Sequence, residues 1–76
     1  MIPRNVQAAR RFEFAEGSSN KFWEMTVDGT EVTVRFGRIG AIGQTSSQSF
    51  ADGAAAQNHA QKLIKQKLAK GYHEIR

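Results

Sequence analysis

Seventy-six residues with a formal net charge of +4, eleven Lys and Arg against seven Asp and Glu, describe one small basic domain with a modest core. The absence of cysteine excludes a disulfide framework and a thiolate metal site, so packing alone must hold a fold that is compatible with a reducing compartment. No apolar run is long enough for a signal-peptide core or a membrane span, so a soluble, cytoplasmic chain with no membrane partner is expected.

Residues 1–9 show no strand pattern and are expected to form a flexible arm ahead of a folded domain at 10–76. Phe12 and Phe14 alternate with Arg11, Glu13 and Ala15, which predicts a first strand ending at the turn-rich Gly17-Ser18-Ser19-Asn20. A second strand is predicted at 21–27, and Asp28-Gly29 reads as a two-residue hairpin turn that makes strands two and three antiparallel neighbours. Trp23, Met25 and Val27 share one face of the second strand while Phe22 lies on the other, so one of the two large aromatics needs a cover besides the main core. In the third strand Val32, Val34 and Phe36 alternate with Glu31, Thr33 and Arg35, and Gly37, Gly40 and Gly43 then permit a tightly turning corner. Residues 44–50 return as a fourth, partly exposed strand ending on a buried Phe50.

From 54 to 70 the period changes, and Ala56, Ala60, Leu63, Ile64 and Leu68 form the apolar stripe of an amphipathic helix. Asp52 is its N-cap, lysines in the final turns complement the macrodipole, and Gly71 supplies a left-handed stop. Tyr72 and Ile75 are expected to pack the tail back on the sheet edge. The predicted fold is α+β: a small antiparallel sheet of four to five strands with one amphipathic helix packed across a face.

Catalytic and metal chemistries have little support. His59 and His73 lack ligand spacing, and Ser46, His59 and Asp52 make a triad on paper only, with no nucleophile-elbow pattern around the serine. Gly37-Arg38-Ile39-Gly40 matches the GxxG loop of KH domains in letters, but it follows a strand where a KH loop joins helices. No enzymatic activity, metal or cofactor is expected. Lys62, Lys65, Lys67, Lys70 and Arg76 near one end, with Arg4, Arg10 and Arg11 near the other, make a basic surface if the ends converge; helix-face solvation accounts for the lysines taken alone. In an ideal strand Phe36 and Arg38 share a face, and an aromatic plane beside a guanidinium suits a sugar-phosphate end or an acidic partner.

Phe36-Gly37-Arg38, then Ile39-Gly40 and Gly43-Gln44, with Asn20-Lys21-Phe22-Trp23 upstream and Lys70-Gly71-Tyr72 downstream, resembles the WGR domain family, named for a Trp-Gly-Arg tripeptide. The resemblance covers residues 12–75 and departs at Phe36, which stands in the Trp position; Phe keeps a flat apolar face but lacks the indole N–H. In poly(ADP-ribose) polymerases, WGR domains contact the backbone at a DNA break with the tripeptide aromatic against the terminal sugar. The resemblance therefore implies a nucleic-acid site at Asn20, Lys21, Phe36, Gly37, Arg38 and Tyr72. Lys21 and Arg38 would hold phosphate, Phe36 would pack on a sugar or terminal base, and Asn20 would donate a hydrogen bond. The expected function is a non-catalytic module binding the backbone near ends or breaks, with DNA favoured over RNA and little sequence specificity. Any enzymatic output would then come from a partner. The alternative is a protein-interaction or regulatory module in which Arg38 engages an acidic partner surface.

Overall fold

Alternating apolar residues build the first three strands of a five-stranded sheet, and a 3.6-residue period builds one helix across it. The computed structural model describes residues 9–75, so the arm expected at 1–9 lies, Ala9 apart, outside the described residues. The elements are β1 (Arg10–Glu16), β2 (Ser19–Asp28), β3 (Glu31–Arg38), β4 (Gln44–Ser49), α1 (Gly53–Ala69) and β5 (His73–Ile75). All pairings are antiparallel in the order β4-β3-β2-β1-β5, an α+β architecture in which the tail completes the sheet beside β1, as Tyr72 and Ile75 led us to expect.

Two turns differ from expectation by a residue or two. Asp28 pairs with Glu31, so the β2–β3 loop is Gly29-Thr30, with Gly29 at φ +63° in its first position. Glu16 pairs with Ser19, so the β1–β2 loop is Gly17-Ser18, and Asn20 is a strand residue opposite Ala15. In both loops the chain reverses at the one residue without a Cβ penalty at positive φ, and the flanking polar residues extend the ladder.

The core lies between sheet and helix. Phe12, Trp23, Met25, Val27 and Val32 on the sheet meet Ala56, Ala60 and Ile64 on α1, with Val34, Phe50, Leu63 and Tyr72 packed partly against them. The helical stripe is narrower than the sequence suggested, since Leu63 is half-buried and Leu68 is 51% exposed. Ala56, Ala60, Ile64 and Lys67 follow the i, i+4, i+8, i+11 line that faces the sheet, and Leu68 sits about 100° round from Lys67. Phe50 lies just past β4 and is half-buried, its ring centroid 4.8 Å from that of His59. β4 itself is exposed along its whole length, more than the partial exposure expected of it.

Both ends of α1 close as their residues predict. The Asp52 side chain accepts from the Ala55 N–H at 2.8 Å. At the other end the Tyr72 N–H reaches the Lys67 carbonyl and the Gly71 N–H the Leu68 carbonyl, both at 3.1 Å, with Gly71 at φ +101°: a Schellman motif. Asp52→Ala is expected to cost about 1 kcal/mol, read as a lower urea midpoint at unchanged slope. An unchanged midpoint would mean that the cap contributes nothing in solution.

The other face of the sheet carries a second, smaller layer. Phe22, rather than Trp23, is the aromatic that needs its own cover, and it is only 1% exposed although it lies outside the main core cluster. The guanidinium carbons of Arg11 and Arg35 lie 4.6 and 4.8 Å from its ring centroid. Arg11 pairs with Glu13 at 2.8 Å and approaches Glu24, which also binds Arg35. The glycine corner closes the remaining side: a Cβ on Gly43 would lie 2.8 Å from the Phe22 ring and 2.6 Å from the Phe36 carbonyl oxygen, and one on Gly37 would lie 2.9 Å from the Gly43 Cα. These glycines therefore do more than turn the chain, because they let its backbone lie against an aromatic ring.

Candidate functional site

Strand parity puts Lys21 and Trp23 of β2 on the same face as Phe36 and Arg38 of β3, with Lys21 opposite Arg38 and Trp23 opposite Phe36. On this face, at the end of the sheet away from the Gly29-Thr30 hairpin, a groove of about 400 Å³ opens between the sheet and the C-terminal turn of α1. Lys21, Phe22, Trp23, Val34, Phe36, Gly37 and Arg38 line it from the sheet, and Lys67 and Tyr72 line it from the helix end. Its walls carry three cationic side chains and no carboxylate.

Phe36 is 39% exposed, which removes it from the core and leaves its ring open to the groove. Arg38 follows at the strand end, where Ile39 N–H bonds to the Asn20 carbonyl and Ala41 N–H to the Arg38 carbonyl, both at 3.0 Å. Arg35 steadies the corner from behind by donating to the Ile42 carbonyl at 2.6 Å. Its side chain is thus committed to structure, whereas Arg38 has no hydrogen-bond or ion-pair partner among the described residues.

Five of the six site residues read from the sequence, Lys21, Phe36, Gly37, Arg38 and Tyr72, line this one groove. Asn20 does not. It borders an adjoining recess of about 160 Å³ that shares Lys21 and Arg38, so its exposed side chain lies one step beyond the groove. Tyr72 is half-buried, its ring 5.5 Å from that of Phe14, and it joins the groove to a further recess lined by Lys21, Lys67 and Lys70.

Sequence reading missed the central place of Lys67. Its Nζ lies 5.6 Å from the Trp23 ring centroid and 5.2 Å from that of Tyr72, and the residue lines the groove. The signal was available, since Lys67 continues the Ala56-Ala60-Ile64 line, but a lysine near a helix end reads first as a solvated face. Burial first, then the charges of Lys70 and Lys21, lower the Lys67 ammonium below the ordinary lysine value. The repulsion by Lys70 and Lys21 is what an electropositive surface does to a cation and is offset by a bound anion, whereas the larger cause, burial, is a loss of hydration.

Of the residues from the chain ends expected to make a basic surface, Arg4 and Arg76 lie outside the described residues, and Arg10 and Arg11 do not join the groove. Arg10 is held by two 2.8 Å hydrogen bonds to Glu74, and Arg11 lies over Phe22 on the opposite face with Glu13 and Glu24. Arg11, Glu13, Glu24 and Arg35 form an ion-pair ladder on the helix-free face, the Arg10–Glu74 pair lies on the helix face beside Phe12, and Lys21, Arg38, Lys67 and Lys70 stand around the groove with no carboxylate in salt-bridge range among the described residues.

An aromatic-Gly-Arg corner at the end of a central strand, a helix across that strand and a Gly-Tyr exit into an edge strand are the parts that the sequence resemblance required. Residues 7–76 match the WGR domain profile. The chain belongs to the WGR domain family. This WGR domain is 35% identical over 65 residues to the uncharacterized protein YfeS of Escherichia coli strain K12, covering 86% of this chain and 27% of YfeS. It is 38% identical over 65 residues to protein YehF of the same strain, covering 86% of this chain and 24% of YehF. A crystal structure of a Bacteroides fragilis protein superposes with a TM-score of 0.88 at 40% identity, over 91% of this chain and 20% of that one. The chain thus spans about a quarter of the length of the curated relatives it matches. The WGR domain is a small non-catalytic module consistent with nucleic-acid binding. No helix among the described residues is long and apolar enough to cross a membrane.

Proposed function

We propose that this WGR domain binds the DNA backbone near ends or breaks, with little preference for sequence and without turnover. The observation that carries the reading is the convergence of Lys21, Arg38 and Lys67 on an open aromatic ring, Phe36, in a groove free of carboxylates. Lys21 and Arg38 hold phosphate, Arg38 through the fork of its guanidinium. Phe36 packs on a terminal sugar or base, Gly37 lets the strand approach closely, Asn20 reaches the next backbone unit, and Tyr72 forms the far wall. An end fits such a groove better than continuous duplex, because only a terminal sugar exposes a face for a ring to cover. Cytoplasmic residence goes with this reading, as do DNA rather than RNA and an arm ahead of the 10–76 domain.

Fluorescence anisotropy of a labelled blunt duplex across a salt series tests it. With roughly three to five phosphates engaged, log affinity falls with log salt at a slope of about −2.7 to −4.5, and scrambling the duplex changes little. A flat salt response, or strong preference for one sequence, counts against backbone binding. An acidic protein that binds the groove residues when duplex does not would favour the protein-interaction alternative, in which Arg38 engages carboxylates.

A further inference from the structure

We propose that Lys67 is a reactive amine that captures phosphate-bearing aldehydes as an imine. The proposal goes beyond reversible binding but rests on the reading of the groove as a phosphate site. Four observations meet at this side chain. Lys67 lines both the 400 Å³ groove and the adjoining recess, so its amine is reachable from solvent. Of the lysines at 21, 62, 65, 67 and 70 it alone is half-buried, the others being exposed. The Trp23 and Tyr72 rings, 5.6 and 5.2 Å away, fix where the amine sits. Lys21 and Arg38 stand on the opposing wall with no carboxylate to neutralise them.

Desolvation and neighbouring cations both make a lysine ammonium give up its proton more readily, and both act on Lys67 through burial, Lys70 and Lys21. The same cations select the electrophile. An aldehyde carrying a phosphate can place the phosphate against Lys21 and Arg38 and its carbonyl carbon near Lys67. Once the ammonium has released a proton to solvent, the amine adds its electron pair to that carbon, forming a C–N bond. Nitrogen then gives up its two protons as the carbonyl oxygen leaves as water, and a C=N bond remains with no net oxidation or reduction. Hydrolysis reverses the step. The ligand class has two sources: the ring-opened abasic sugar at a DNA end, whose C1′ is an aldehyde beside a phosphate, and a free phosphorylated aldehyde.

The test uses both sources with borohydride, which reduces an imine to a stable secondary amine, followed by peptide mapping. With pyridoxal 5′-phosphate as the free probe, the adduct is expected on Lys67 at least tenfold above Lys62 and Lys65, and Lys67→Arg, which keeps the charge, removes it. With a duplex bearing a 5′-phosphorylated abasic end, a covalent protein–DNA band is expected that Lys67→Arg abolishes. Trapping of the free probe alone at Lys67 assigns the site to small phosphorylated aldehydes and trapping of the duplex alone to DNA ends; either supports the reactive amine. Labelling spread evenly over the lysines, trapping that survives Lys67→Arg, or no trapping with either probe overturns it. The free-probe arm needs no DNA, so Lys67 labelling in a protein that fails to bind blunt duplex would retain the amine and reject the DNA reading.

Discussion

Phe22→Ala is expected to remove about 3–5 kcal/mol of folding stability, enough to bring a chain of 76 residues close to its unfolding midpoint in buffer. Phe22 is 1% exposed, and its neighbours cannot close over the space it would leave. On one side the glycine corner is held by the Arg35 bond to the Ile42 carbonyl, and on the others the Arg11 and Arg35 guanidiniums are tethered by Glu13 and Glu24. Truncation would therefore leave a cavity lined by charged groups that lose an aromatic cover. Guanidinium denaturation of wild type and variant measures the effect. A loss below 1 kcal/mol would show that the layer on the helix-free face is not formed in solution.

Arg38→Ala is expected to weaken binding of a blunt duplex by about 1.5–3 kcal/mol, roughly ten- to 150-fold, while the thermal midpoint stays close to wild type. The fold is spared because Arg38 is exposed and has no partner among the described residues, so removing it orphans nothing. Lys62→Ala and Lys65→Ala are the controls. Both side chains are exposed on α1 outside the groove, and each should change affinity by less than about threefold, as surface charges do. Full binding by Arg38→Ala together with a large loss in either lysine variant would move the site to the outer face of the helix and defeat the reading of the groove.

The strands, the helix and its two caps were legible because each rests on local chemistry. Alternation at Val32, Val34 and Phe36 needs only the two-residue pleat, and the reach of Asp52 to the Ala55 N–H or the left-handed turn at Gly71 needs only a few consecutive residues. The family was legible for a related reason: its motifs lie at strand ends and at the helix exit, where glycine and charge are required by geometry. Boundaries slipped at Ser19 and Asp28 because Gly alone carries the positive φ in each hairpin, which lets polar neighbours such as Asn20 remain in the ladder.

Tertiary structure decided everything that depends on which face meets which. Periodicity placed Phe22 and Trp23 on opposite sides of β2 but could not say which side α1 would cover; the helix took Trp23, and a glycine loop with two ion-paired arginines took Phe22. The same choice put Lys67 over Trp23 and Tyr72, because the line through Ala56, Ala60 and Ile64 runs on into the groove. Folding also brought Glu74 to Arg10 and Glu24 to Arg11 from neighbouring strands, beside the local pair of Arg11 with Glu13 on β1. Local patterns determine elements because steric and hydrogen-bonding rules act over a few residues. The covering of a face and the pairing of a charge depend on residues brought together from distant parts of the chain, and only the folded arrangement sets those distances.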